Sequence, residues 1–130
     1  MKKKILVVED DPAALRLVSF TLESAGYEVI AAVNGFEGLR KAQEEQPDLL
    51  VLDLMLPGID GYEICHRLRS NPPGPAGRLP ILMLTAKSRE ADRAAAEQVG
   101  ADCYLSKPAT PEEITTAVDT LLSQREEKHA

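Results

Sequence analysis

The stretch ILVVEDDP sets three carboxylates, Glu9, Asp10 and Asp11, directly behind four apolar residues near the start of the chain. Two like charges 4 Å apart repel by about 4 kcal/mol at an effective dielectric near 20, so acids gathered at one strand end call for a compensating cation. Asp53 follows the apolar run LLVL, Thr85 ends PILMLT, and Lys107 follows DCYLS. Hard carboxylate oxygens beside a lysine suit a divalent cation, above all magnesium, which takes one or two carboxylates and keeps waters or phosphate oxygens. With the cation in place, one carboxylate can act as a nucleophile toward a phosphoryl group while the cation and the lysine neutralise the equatorial oxygens. Asp53 is the central candidate, because an acid behind a buried apolar run is costly to desolvate unless something binds it. Asp11, directly before Pro12, reads as a helix N-cap and leaves Glu9 and Asp10 as the acidic pair.

For these groups to meet, the elements carrying them must deliver them to one edge. The strand candidates are KILVV, EVIAAV, DLLVLDL, PILMLT and DCYLS. Their hydrophobicity is continuous rather than alternating, which points to a parallel sheet covered on both faces. Five helix candidates alternate with them. Asp11 and Pro12 open the first, with Leu15, Val18 and Leu22 as its stripe and Gly26 as its stop. Asn34 with Glu37 reads as a capping box for the second, which should turn Phe36 and Leu39 inward. Asp60 with Glu63 repeats the device, and Ile59 can staple to Ile64. Ser88 should cap the fourth and Gly100 close it. Thr110, Pro111 and Glu113 start the fifth, with Ile114, Ala117, Val118, Leu121 and Leu122 at helical spacing. The result is a (βα)5 α/β fold of three layers, its helices on both faces by right-handed crossovers. In the order 2-1-3-4-5, strands one and three are neighbours and ligands bind outside their carboxyl ends. Strand spacing of about 4.8 Å then brings Asp53 beside Asp10, with Thr85 and Lys107 flanking.

Composition sets outer limits. A chain of 130 residues fits one domain. No apolar run approaches the roughly 20 residues that span a bilayer, and Met1 to Lys4 lead into too short an apolar run for a signal peptide. A cytoplasmic protein without membrane contact is expected. The net charge of −6 disfavours direct nucleic-acid binding, which needs basic patches. Cys65 and Cys103 lack metal-ligand spacing and read as reduced thiols within regular elements. Residues 70–78, SNPPGPAGR, read as a surface connection, and residues 123–130, SQREEKHA, as a polar tail that frays or begins a linker.

The motifs ILVVEDD, PDLLVLDLMLPGIDGYE, PILMLTA and GADCYLSKP, in this order over residues 3–122, resemble the receiver domain of two-component response regulators. The resemblance implies a flavodoxin-like fold, with residues 1–122 as the receiver. It implies a magnesium-dependent reaction in which Asp53 accepts a phosphoryl group from a histidine kinase or a phosphotransfer histidine. Asp10, Asp53 and the backbone carbonyl of Met55 would then hold Mg2+ directly and Glu9 through water. Thr85, the amide of Ala86 and Lys107 would engage the phosphoryl group, and Tyr104 would turn inward when Thr85 moves, changing the surface of the fourth helix, fifth strand and fifth helix. The Lys107–Pro108 peptide would be cis. The partners implied are the phosphodonor and a downstream effector protein or domain.

Ala109 stands where a phenylalanine is common in that family. Thr116, Asp119 and Thr120 stand where the winged-helix DNA-binding branch places basic residues that pair across a dimer, so a monomer or weak dimer is expected. A switch with self-catalysed phosphotransfer and dephosphorylation is expected rather than an enzyme: dehalogenase-like phosphatases need a second acid two residues past the nucleophile, and Met55 is there. A flavin carrier would need a glycine-rich phosphate loop where the three acids stand. An adaptor without phosphorylation would normally lose some of the acids or the lysine, and all are present.

Overall fold

The computed structural model describes residues 2–70 and 78–129, so the reading of 70–78 as a surface connection falls largely outside the described residues. Five strands, Lys4–Val8 (β1), Glu28–Ala32 (β2), Leu49–Leu52 (β3), Ile81–Thr85 (β4) and Cys103–Ser106 (β5), alternate with five helices. The helices are Pro12–Ser24 (α1), Gly35–Glu44 (α2), Gly61–Arg69 (α3), Glu90–Gln98 (α4) and Pro111–His129 (α5). The strands form one parallel sheet in the order β2-β1-β3-β4-β5.

Strand side chains alternate between faces with period two, and here both faces are buried. Leu6, Val8, Leu50, Leu52, Ile81 and Met83 pack on one face with Ala42, Ile64, Leu68 and Ala96. Ile5, Val7, Leu49, Val51, Leu82 and Leu84 pack on the other with Val18, Leu22, Ile114 and Val118. This is why the runs read as continuously apolar. Each fully buried Leu or Ile contributes about 1.5–3 kcal/mol relative to exposure, so the sheet is a stiff platform for whatever its ends carry.

Capping follows the sequence at most helix starts. The side chains of Asp11, Asn34 and Asp60 accept from the amides of Ala14, Glu37 and Glu63. At α5 the capping box closes both ways: Thr110 N–H donates to Glu113 Oε1 at 2.9 Å, and Glu113 N–H donates to Thr110 Oγ1 at 3.1 Å. Gly26 and Gly100 follow the ends of α1 and α4 at φ +97° and +102°, a region glycine enters without steric cost.

Two expectations fail. Phe36 does not face the core: it is 61% exposed, and α2 buries Gly35, Gly38 and Ala42 instead. The reason is close packing, since a Cβ on Gly38 would lie 2.8 Å from the methyls of Val8. Ser88 does not cap α4, whose N-cap is Arg89 with no side-chain bond. α5 runs on to His129, so the polar residues 123–129 stand in its last turns. SQREEKH contains no glycine or proline to stop a helix, and Arg125 Nη1 donates to the carbonyl of Asp48 at 2.7 Å.

Cys65 is fully buried, and burial pushes its thiol up to about 12. Cys103 is partly buried and also shifted upward by burial. Among the described residues, no helix is long and apolar enough to cross a membrane.

Candidate acidic site at the strand ends

The register sets Val8 of β1 against Leu52 of β3, so the residues that follow, Glu9 and Asp53, leave the sheet side by side. Asp53 N–H donates to Val8 O at 3.3 Å and Glu9 N–H to Ala32 O at 3.0 Å, which fixes both backbones. Glu9 and Asp53 are buried, at 4% and 7% exposure, while Asp10 faces solvent. One carboxylate oxygen from each of Glu9, Asp10 and Asp53 lies within 4.8 Å of the others.

Lys107 reaches this cluster from the far side of the sheet. Its N–H donates to Thr85 O at 2.8 Å, and the Lys107–Pro108 peptide is cis, as expected. Its Nζ donates to Asp53 Oδ2 at 3.1 Å and to Glu9 Oε1. The remaining oxygens are also engaged: Glu9 Oε2 accepts from Asp11 N–H and Asp53 Oδ1 from Met55 N–H, both at 3.1 Å. One ammonium against the three carboxylates leaves the pocket with excess negative charge.

Burial raises the Glu9 carboxyl above its usual value, and the nearby Asp53 charge adds to this, while hydrogen bonds from Lys107 and the Asp11 amide oppose it. Burial would lower the Lys107 ammonium, but its bonds to Glu9 and Asp53 and their charges outweigh that and raise it. The two shifts pull on one ion pair in opposite senses. The lysine's is the firmer, because two buried carboxylates serve one ammonium, whereas Glu9 shares its cation.

Thr85 ends β4 fully buried, and its Oγ1 accepts from Lys87 N–H at 3.4 Å. Ala86 follows at the surface. Tyr104, paired with Met83 in the register, is turned inward and buried, and its hydroxyl donates to Lys87 O at 2.6 Å. The family resemblance implies that this ring turns inward when Thr85 moves; here it is already inside. The Lys87 backbone thus touches both residues, its N–H at Thr85 and its carbonyl at Tyr104, a link the sequence does not announce because backbone contacts carry no residue signature. Ala109 packs against the α1/α5 core, and beside it an apolar groove of about 340 Å³ lies between Leu17, Val18, Pro108 and Ile114.

Behind Asp53 the chain passes very close to itself: a Cβ on Gly61 would lie 2.6 Å from the carbonyl oxygen of Asp53. Gly61→Ala is therefore expected to destabilise the fold by about 1–3 kcal/mol, read as a lower urea midpoint at unchanged slope.

The site's donor set is chemically suited to magnesium: hard carboxylate oxygens, one of them on solvent-facing Asp10 as a point of entry. Comparison with known proteins agrees with this geometry. The family model described as response regulator receiver domain matches residues 5–119. The alkaline phosphatase synthesis transcriptional regulatory protein PhoP of Bacillus subtilis is 46% identical over 126 residues, covering 97% of this chain and 51% of that protein. The chain spans about half the length of the curated relatives it matches. Among solved structures, a CheY-like response regulator receiver domain protein from Methanospirillum hungatei superposes with a TM-score of 0.89 at 30% identity, covering 98% of this chain and 99% of that one. The receiver domain of the sensor histidine kinase PA1611 from Pseudomonas aeruginosa, solved with magnesium in its active-site cleft, gives 0.86 at 30% identity, covering 95% and 99%. Fold, motif order and relatives converge: the chain belongs to the response regulator receiver domain family of two-component signalling.

Proposed function

We propose that Asp53 is the phosphoacceptor of a magnesium-dependent switch, taking a phosphoryl group from a histidine kinase or a phosphotransfer histidine. The observation that carries this reading is the convergence of the Asp53, Glu9 and Asp10 carboxylates within 4.8 Å, with Lys107 Nζ 3.1 Å from Asp53. An Asp53 oxygen forms the new O–P bond as the P–N bond to the donor imidazole breaks, and the freed nitrogen takes a proton. Lys107 holds the carboxylate in place and then pairs with the transferred group. The Thr85 hydroxyl and Ala86 amide donate to the phosphoryl oxygens. Asp10, Asp53 and the Met55 carbonyl would hold magnesium directly and Glu9 through water, and the bound cation would supply charge neutralisation during transfer. The water-bridged role for Glu9 is supported by its engagement with Lys107 and the Asp11 amide.

Thr85, drawn to the phosphoryl group, releases its contact with the Lys87 amide and alters the loop that holds Tyr104. Phosphorylation then favours one of two existing arrangements of the surface formed by α4, β5 and α5. Residues 1–122 constitute the receiver, working in the cytoplasm as a monomer or weak dimer, without direct contact with nucleic acid or membrane. An effector domain or protein reads the switched surface. The chain is a self-phosphorylating and self-dephosphorylating switch rather than a turnover enzyme, since Met55 occupies the position a proton shuttle would need.

Incubation with acetyl phosphate and millimolar magnesium should add one phosphoryl group per chain, located by peptide mapping to Asp53. EDTA should remove the reactivity and excess magnesium restore it. Labelling at another residue, or labelling indifferent to EDTA, would overturn the assignment.

A further inference from the structure

Arg93, on the exposed side of α4, places its guanidinium carbon 5.0 Å from the centroid of the Tyr104 ring. Its neighbours on the helix include Glu90 one turn before and Glu97 one turn after, both at spacings where helical ion pairs form. Among the described residues Arg93 nevertheless forms no ion pair, whereas Arg89 pairs with Asp92 at 3.3 Å and Arg69 with Asp102 at 2.9 Å. The guanidinium stacks over the ring instead, and the ring's hydroxyl is bonded beneath to Lys87 O at 2.6 Å. Tyr104 is thus gripped at its face by α4 and at its tip by the loop after β4. Lys87 N–H reaches Thr85 Oγ1 at 3.4 Å, so the grip joins the helix to the residue that ends β4.

We propose that Arg93 is a positioning residue for the switch, a cationic cover that holds Tyr104 inward and so sets the balance of inward and outward rings before any phosphoryl transfer. The proposal rests on the reading of Tyr104 as the switch residue and adds what fixes its resting position. Exposed Arg93 set over the inward Tyr104 ring biases the ring by about two- to five-fold in population. This is enough to shift the resting output without locking it.

The test uses the whole unphosphorylated chain. Tetranitromethane nitration is followed residue by residue by peptide mapping, with Tyr27 as internal reference, for wild type, Arg93→Ala, Arg93→Gln and Arg93→Lys. Nitration of Tyr104 should be about two- to five-fold faster in Arg93→Ala and Arg93→Gln, with Arg93→Lys between these and wild type, and with Tyr27 rates and melting temperatures unchanged. Tyr104 reacting in Arg93→Ala at the wild-type rate, or Arg93→Gln protecting the ring as fully as arginine, would overturn the proposal. Because no phosphodonor is present, either result leaves the Asp53 assignment untouched, and failure of Asp53 labelling leaves this measurement intact.

Discussion

Asp53→Asn is expected to lower phosphoryl incorporation from acetyl phosphate by at least about 100-fold, to the limit of detection by mass. An amide oxygen keeps the shape of the carboxylate but loses the charge that makes it a nucleophile. The neighbouring acids are poor substitutes. Glu9 is buried with Oε1 held by Lys107 and Oε2 by the Asp11 amide. Asp10 faces solvent, where its oxygen lacks the lysine that would meet the transferred group. The same variant should lose most of its magnesium-dependent stabilisation. A ligand present at 100 times its Kd stabilises by about 2.7 kcal/mol, so wild type should melt higher in magnesium than in EDTA, and Asp53→Asn should show little difference. Persistent labelling of Asp53→Asn with magnesium stabilisation intact would mean that Asp10 or Glu9 is the acceptor.

The division between what the sequence discloses and what it hides is physical. Strands buried on both faces are legible because their apolar cores have no polar interruption; β1 and β4 end at Val8 and Thr85 where KILVV and PILMLT end, while β3 stops at Leu52, two residues short of the DLLVLDL candidate. The acids and Lys107 are legible because charged residues directly after such runs are rare without a partner. Phe36 misleads because a helical periodicity argument favours the larger residue. The packing of α2 against Val8 instead requires the smallest one, Gly38, and this depends on a separation between helix and sheet that no local pattern encodes. Ser88 misleads for a similar reason: capping propensity is a local preference, and the chain enters α4 one residue later. The bracket of Lys87 between Thr85 and Tyr104 runs through backbone atoms, and the Arg93 contact joins α4 to β5 across chain neighbours that any sequence window treats as unrelated.

Removal of the lysine gives the other large effect, and its pH dependence separates it from general damage. Lys107→Ala leaves buried Glu9 and Asp53 facing each other without their ammonium. Breaking a buried pair by deleting one partner costs about 3–5 kcal/mol, and the 24% exposure of the lysine side chain argues for about 3. In metal-free buffer at pH 7, chemical denaturation should show that loss. The Glu9 carboxyl is raised in the folded wild type by burial, so its folded form binds the proton more tightly than the unfolded one does. Its stabilising contribution is complete below the unfolded value of 4.5 and is lost as pH rises through the folded value. Without Lys107 the main opposing bond is gone, the carboxyl rises further, and this window widens upward. The variant's deficit should therefore shrink as pH falls from 7 toward 5, while wild type changes less over the same range. On the alkaline side the raised Lys107 gives wild type a contribution present below 10.5 and lost above it as pH passes the folded value, a decline the variant should lack. Millimolar magnesium should narrow the gap at pH 7, since a dication at the same carboxylates replaces part of the missing positive charge. A deficit independent of both pH and magnesium would instead place the lysine's contribution in packing of its aliphatic stem.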